Sequence, residues 1–222
     1  MDLTAELVAK THRLEADEGP RPDRQQMDDA DYRRYTESLL AELGNSPLRI
    51  FAYGSLIWKP EFEFINQSRA TLQNWHRAFC MKIERWRGTR ERPGLMMALD
   101  QGGRCEGVVY ELSPENKFAQ LEKLLRREMT NKPPTNTPVC LTVETENESV
   151  KALAFIASRS GYSYQGKIPL PEVAAILARA AGHWGTGAEY LFNTVSHLEQ
   201  LGIRDENLWQ LQKLVAAEIG NL

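Results

Sequence analysis

The chain has 222 residues, 42% of them hydrophobic and 26% charged, which is the composition of a globular protein long enough to bury a full core. Lysine and arginine total 27 against 30 for aspartate and glutamate, and the balance of −3 gives no reason to expect nucleic acid or an anionic membrane as a partner. The three cysteines, Cys80, Cys105 and Cys140, form no CxxC pair, so neither a disulfide framework nor a zinc site is expected. No apolar run approaches the roughly 20 residues of a membrane helix. The polar first fourteen residues lack the apolar core of a secretory leader, which makes the cytoplasm the expected location.

Residues 1–47 read as a helical N-terminal extension. A short helix is expected over residues 5–14, ended by Gly19-Pro20-Arg21-Pro22. A second is expected over 28–43, with Asp28 or Asp29 as N-cap, Gly44 as stop, and Tyr32, Tyr35, Leu39, Leu40 and Leu43 on one face. From residue 48 the pattern changes to strands. They are expected over 48–57, 75–83, 95–99 and 106–112, with Asp100-Gln101-Gly102-Gly103 as a turn. A further hairpin joins 141–143 to 153–157 across a polar segment. Helices are expected over 114–129, 171–181, 189–201 and 205–219. Short strands with helices between and after them indicate an α+β protein with a mostly antiparallel or mixed sheet.

Two stretches carry candidate chemistry. Tyr53-Gly54-Ser55-Leu56 interrupts an apolar strand with a small, flexible pair. It is either a tight turn or a loop whose backbone amides turn toward a ligand. Ser55 lacks the second glycine of a nucleophile elbow and has no evident His and Asp partners. In the helix over 114–129, Phe118, Leu121, Leu124 and Leu125 form an apolar stripe, and one further step reaches Glu128. Partial burial and the negative helix end both raise the pKa of such a carboxylate toward the range of a general base. Arg126 and Arg127 oppose this if they approach, and the alternative is a glutamate that swings into water or pairs with Arg127.

Other constellations are weaker. His76 and Cys80 share a strand face but lie roughly 13 Å apart at 3.3 Å per residue. No HxxxH or HExxH pattern offers a metal site. The arginine-rich loop carrying Arg85, Arg87, Arg90 and Arg92 can bind a substrate carboxylate or be a solvated hairpin loop. The glycines of Gly182-His183-Trp184-Gly185-Thr186-Gly187 can bring backbone close to a ligand or to the sheet.

Several of these segments, in order, resemble the ChaC-type γ-glutamylcyclotransferases. They are Tyr53-Gly54-Ser55-Leu56-Ile57-Trp58, Trp75-His76-Arg77-Ala78-Phe79-Cys80, Arg87-Gly88-Thr89 with Pro93-Gly94, Gly107-Val108-Val109-Tyr110, Arg127-Glu128-Met129 and Glu189-Tyr190-Leu191-Phe192. The resemblance implies a small, mixed, barrel-like β-sheet with flanking helices over residues 48–222. It also implies conversion of glutathione to 5-oxoproline and cysteinylglycine without metal or cofactor. Glu128 would be the acid/base, and Tyr53, Gly54, Ser55 and Leu56 would hold the γ-glutamyl group. The sequence departs from the family pattern at Leu95, at Thr130 to Thr135 including Pro133, and at Gly187-Ala188. These departures leave open another γ-glutamyl amine or dipeptide as substrate, or a non-catalytic γ-glutamyl-binding protein.

Overall fold

The computed structural model describes residues 1–222. The chain divides into two compact units, one of Met1–Arg21, Ala78–Met97 and Ser163–Leu222, the other of Pro22–Arg77 and Ala98–Tyr162. Residues 1–47 therefore contribute to both, the first 21 to one unit and the remainder to the other.

In chain order the elements are α1 (Ala5–Ala9), β1 (Gln25–Gln26), α2 (Asp29–Leu43), β2 (Arg49–Ala52), α3 (Ser55–Trp58), β3 (Phe64–Ile83), β4 (Gly94–Leu112) and α4 (Lys117–Glu128). They continue with β5 (Asn131–Lys132), β6 (Asn136–Thr145), β7 (Ser149–Ala157), α5 (Leu170–Arg179), β8 (Ala181–Gly182), β9 (Gly185–Thr186), α6 (Gly187–Gln200) and α7 (Glu206–Gly220).

The sheet is a closed barrel in the order β2-β4-β3-β6-β7, closed by pairing of β7 with β2 and with an additional pairing of β4 with β7. Strand β2 runs antiparallel to β4, with Ala52 opposite Val108, and parallel to β7, with Ile50 opposite Leu153. The β6–β7 hairpin is antiparallel throughout, from Asn136 opposite Ala157 to Glu144 opposite Ser149. The sheet is thus mixed and barrel-like, as expected. Ile50, Phe51 and Ala52 of β2 are fully buried, and the strand is paired on both edges, with β4 and with β7. In the same unit α2 packs on α4. Asp28 caps α2 in a reciprocal capping box with Asp31, and Gly44 ends it at a positive φ of 57°, a conformation open to glycine.

The other unit is built on α5, α6 and α7, with α1 packed against α6 and α7. The buried Gln212 of α7 accepts the N–H groups of Asp2 and Leu3 at 2.9 and 2.8 Å, which ties the N-terminus down. The arginine-rich loop has partners inside this unit. Arg85 pairs with Asp17 at 2.6 Å, Arg90 with Glu18 at 3.2 Å, and Arg87 with Glu189 at 2.6 Å. Three of its four guanidinium groups are therefore matched by carboxylates of the protein, which favours the structural reading of this loop over a substrate carboxylate site.

Several expected boundaries are corrected. The first helix is only Ala5–Ala9. The strand expected over 48–57 ends at Ala52, because Gly54 (φ −142°, ψ −125°) leaves the strand conformation and the short helix α3 follows. The turn expected at Asp100 to Gly103 is a bend inside β4, a strand of 19 residues. Gly102 and Gly103 take φ of 105° and 69° there, which kinks the strand without ending it. Strand β3 begins at Phe64, well before the expected residue 75. Phe118, expected on the apolar stripe of α4, is 38% exposed, while Leu121, Leu124 and Leu125 are buried.

Candidate active site

Strand β2 delivers the chain to Tyr53 and stops. Three contacts fix the loop that follows. The Tyr53 hydroxyl donates to the Phe155 carbonyl of β7 at 2.8 Å. The buried Arg77 of β3 donates through Nε to the Tyr53 carbonyl at 2.6 Å and through Nη2 to the Glu106 carbonyl. Such charge-assisted bonds are worth about 1.5–3 kcal/mol each. The Tyr110 hydroxyl, below the rings of Phe62 and Phe64, donates to the Ile57 carbonyl at 3.4 Å. Within α3, the Ile57 amide donates to the Gly54 carbonyl at 2.9 Å and the Lys59 amide to that of Ser55 at 2.8 Å. The Ser55 and Leu56 amides come ahead of these bonds, as the leading N–H groups of a helix do.

Glu128 is the last residue of α4. The neighbouring Leu124, Leu125 and Met129 are buried, and the Glu128 side chain is 17% exposed. Burial pushes its carboxyl up from the ordinary value of 4.5; the Arg127 guanidinium pulls the other way, and the Glu61 carboxylate adds to the rise. Arg126 turns aside, pairing with Glu122 at 2.6 Å and Asp29 at 2.8 Å.

Arg127 joins the two halves of the site. Its Nε lies 3.2 Å from Glu128 Oε1, and its Nη2 donates to Ser55 Oγ at 3.3 Å. Its Nη1 donates to the Lys59 carbonyl and pairs with Glu61 Oε2 at 3.3 Å. The loop expected to hold substrate and the carboxylate expected to work on it are thus two contacts apart, through one planar guanidinium. Glu61 sits in the left-handed region with φ of 55°, uncommon for a non-glycine residue. Burial favours its neutral form, but Lys59 and Arg127 hold it below its ordinary value.

All five expected site residues lie in one compact unit. Arg127, Arg77 and Glu61 were not singled out as site residues from the sequence. Arg77 carried a signal, being a lone arginine in a largely apolar strand segment ending in Phe79-Cys80-Met81. Arg127 was visible as an alternative partner of Glu128 and as part of the Arg127-Glu128-Met129 segment, but not as a contact of the Tyr53–Leu56 loop. A groove of about 420 Å³ in the same unit, lined by Arg49, Arg69, Glu111 and Glu148 among others, includes none of these site residues. No group of three or more His, Cys, Asp or Glu side chains comes together to hold a metal.

The closed, mixed, barrel-like sheet with flanking helices is the γ-glutamyl cyclotransferase fold. A solved yeast γ-glutamyl cyclotransferase specific to glutathione matches with a TM-score of 0.70 at 22% identity, over 78% of this chain and 97% of that one. The chain belongs to the family described as ChaC-like protein, whose model matches residues 48–218. Among curated relatives, the glutathione-specific gamma-glutamylcyclotransferase of Escherichia coli K12 is 38% identical over 162 residues, 73% of this chain and 70% of its own length. Gamma-glutamylcyclotransferase 2-3 of Arabidopsis thaliana is 31% identical over 175 residues, 75% of this chain and 87% of its own length.

Proposed function

We propose that this chain is a γ-glutamylcyclotransferase that converts glutathione to 5-oxoproline and cysteinylglycine. The observation that carries the reading is the half-buried Glu128 carboxylate, linked through Arg127 to the Tyr53–Ser55 loop. The names of the Escherichia coli and yeast proteins support glutathione as the substrate.

The chemistry follows from these groups. The α-amine of the γ-glutamyl unit attacks its own γ-carbonyl, forming the ring C–N bond and breaking the C–N bond to cysteine. The attack is intramolecular, so holding the folded-back conformer supplies much of the rate. Glu128 takes the proton from the α-ammonium and returns it to the leaving nitrogen. A raised pKa brings its acid and base forms closer in energy near neutral pH, which suits both transfers. The Ser55 and Leu56 amides and the Ser55 hydroxyl hold the γ-glutamyl carboxylate or the developing oxyanion, with Tyr53 and Gly54 shaping the loop. No step needs a metal or cofactor.

The catalytic region is assigned to residues 48–222, with residues 1–47 as its extension. The cytoplasm is the proposed location, a reading that three free cysteines fit; no helix is long and apolar enough to cross a membrane. The decisive variant is Glu128→Gln, which is expected to keep the fold and abolish 5-oxoproline formation. Full activity in that variant removes Glu128 from the mechanism. Comparing turnover of glutathione with γ-glutamyl-alanine tests the substrate.

A further inference from the structure

The family model starts at residue 48, yet a segment before it holds the chain immediately after Glu128. The contacts run residue by residue. The Tyr32 hydroxyl donates to the Met129 carbonyl at 2.7 Å, and the Met27 amide donates to the Thr130 carbonyl at 3.0 Å. Gln26 donates through Nε2 to Asn131 Oδ1 at 2.7 Å, and β1 pairs with β5, Gln25 opposite Lys132 and Gln26 opposite Asn131. Lys132 pairs with Asp28 at 3.2 Å and with Asp31. One turn back on α4, Arg126 pairs with Asp29 at 2.8 Å and lies 4.5 Å over the Tyr32 ring.

We propose that the segment from Gln25 to Tyr32 is a clamp that positions Glu128 for catalysis, with Tyr32 as its central positioning residue. The inference rests on the reading of Glu128 as the acid/base. Helix ends fray, and Glu128 is the last residue of its helix. Its neighbour Met129 makes the last bond back into the helix, to the Leu125 carbonyl at 2.8 Å, and has a fully buried side chain. The Met129 carbonyl would be left without a backbone partner on the helix, and Tyr32 supplies one from a buried position. The exposed Arg126–Asp29 pair adds little to this by itself.

The charged groups that act on Glu128 are Arg127 beside it and Glu61, which is itself faced by Lys59 of the loop and Lys123 of α4; in the clamp, Lys132 is paired with Asp28 and Asp31. The last three neutralise one another in part, so the clamp acts on Glu128 by holding its backbone and keeping it from water.

The test compares the full-length wild type with Tyr32→Phe and with Lys132→Met. Tyr32→Phe keeps the ring under Arg126 and loses only the hydroxyl; Lys132→Met keeps an apolar stem and loses both carboxylate contacts. Steady-state kinetics with glutathione, thermal melting and a carbon-13 titration of the Glu128 carboxyl are measured on each. The expected result for Tyr32→Phe is a fall in kcat of about tenfold, with KM changed less than about twofold. Its Glu128 titration moves down toward the ordinary glutamate value. Lys132→Met shifts both readouts in the same direction. Variants that melt earlier but keep wild-type kcat and wild-type Glu128 titration overturn the proposal. If the wild type makes no 5-oxoproline from glutathione, the functional reading fails, and the titration alone still decides the clamp.

Discussion

Gly107 of β4 lies beside the end of β2, where the substrate loop begins, and a single methyl group there tests how tightly that loop must be held. A β-carbon at Gly107 would stand 2.4 Å from the Ala52 carbonyl oxygen and 2.9 Å from the tip of the Phe51 ring, whereas ordinary contact starts at 3.4 Å. The oxygen belongs to backbone, so relief requires the strand end to recede by about 1 Å, the difference between 2.4 and 3.4 Å. Ala52 precedes Tyr53 directly, so the loop recedes with it, while Glu128 on α4 stays behind. A misplacement of about 1 Å is enough to cost about 100-fold in rate when catalysis depends on a near-attack geometry. Overpacking adds a stability cost of about 1–3 kcal/mol, each of which lowers the melting temperature by about 2–4 °C in a chain of this size. Gly107→Ala is therefore expected to stay folded by circular dichroism, melt several degrees lower and lose about 100-fold in kcat/KM for glutathione. A variant that shows the lower melting temperature but keeps wild-type kcat/KM refutes the claim that loop position limits the reaction.

Four further predictions concern the groups that meet at the site. Because the native Glu128 carboxyl binds its proton more tightly than the unfolded one, ionising it costs stability as pH rises from the ordinary value of 4.5 through the raised native value. Glu128→Gln removes that cost, at about 1.4 kcal/mol per unit of pKa separation; it is expected to melt higher than wild type at pH 7 and no higher below pH 4.5. The same shift puts the acidic limb of the wild-type kcat/KM profile above 4.5, and a limb at or below that value contradicts it. Arg127→Lys replaces a planar fork that reaches both Ser55 and Glu128 with a single ammonium. Its kcat/KM is expected to fall by at least about tenfold in steady-state assays, and an unchanged value means that the bridge is incidental. Tyr53→Phe leaves the buried Phe155 carbonyl without its donor and is expected to cost about 1 kcal/mol in chemical denaturation, with a loss in kcat/KM far smaller than that of Glu128→Gln.

Much of the architecture was legible where local chemistry and tertiary context agree. Helix α2 follows its capping residues closely, from Asp28 to Gly44. Glu128 was singled out because a stripe of leucines continues onto it, and those leucines are buried. The break at Tyr53-Gly54 was visible too, although its outcome, a short helix rather than a resumed strand, depends on barrel neighbours that the local pattern does not contain. The same limit explains β4. Asp100-Gln101-Gly102-Gly103 has the composition of a hairpin turn, but barrel pairing carries the strand through it and the positive-φ glycines merely bend it. The pairing of Glu128 with Arg127 was one of the alternatives read from the sequence, and the structure contains it. Adjacent residues on a helix diverge by about 100°, so spacing does not show that the tip of the same side chain also reaches Ser55 and Lys59. Tyr32 read correctly as one residue of an apolar helix face; that its hydroxyl lands on Met129, 97 residues away, is a product of how α2 packs on α4.

The most direct test of the account is to mix the purified protein with glutathione and follow the products by mass spectrometry, with Glu128→Gln in parallel. The account predicts 5-oxoproline and cysteinylglycine in equal amounts from the wild type and neither from the variant. Cleavage to free glutamate and cysteinylglycine, no turnover by the wild type, or equal turnover by both proteins would contradict it.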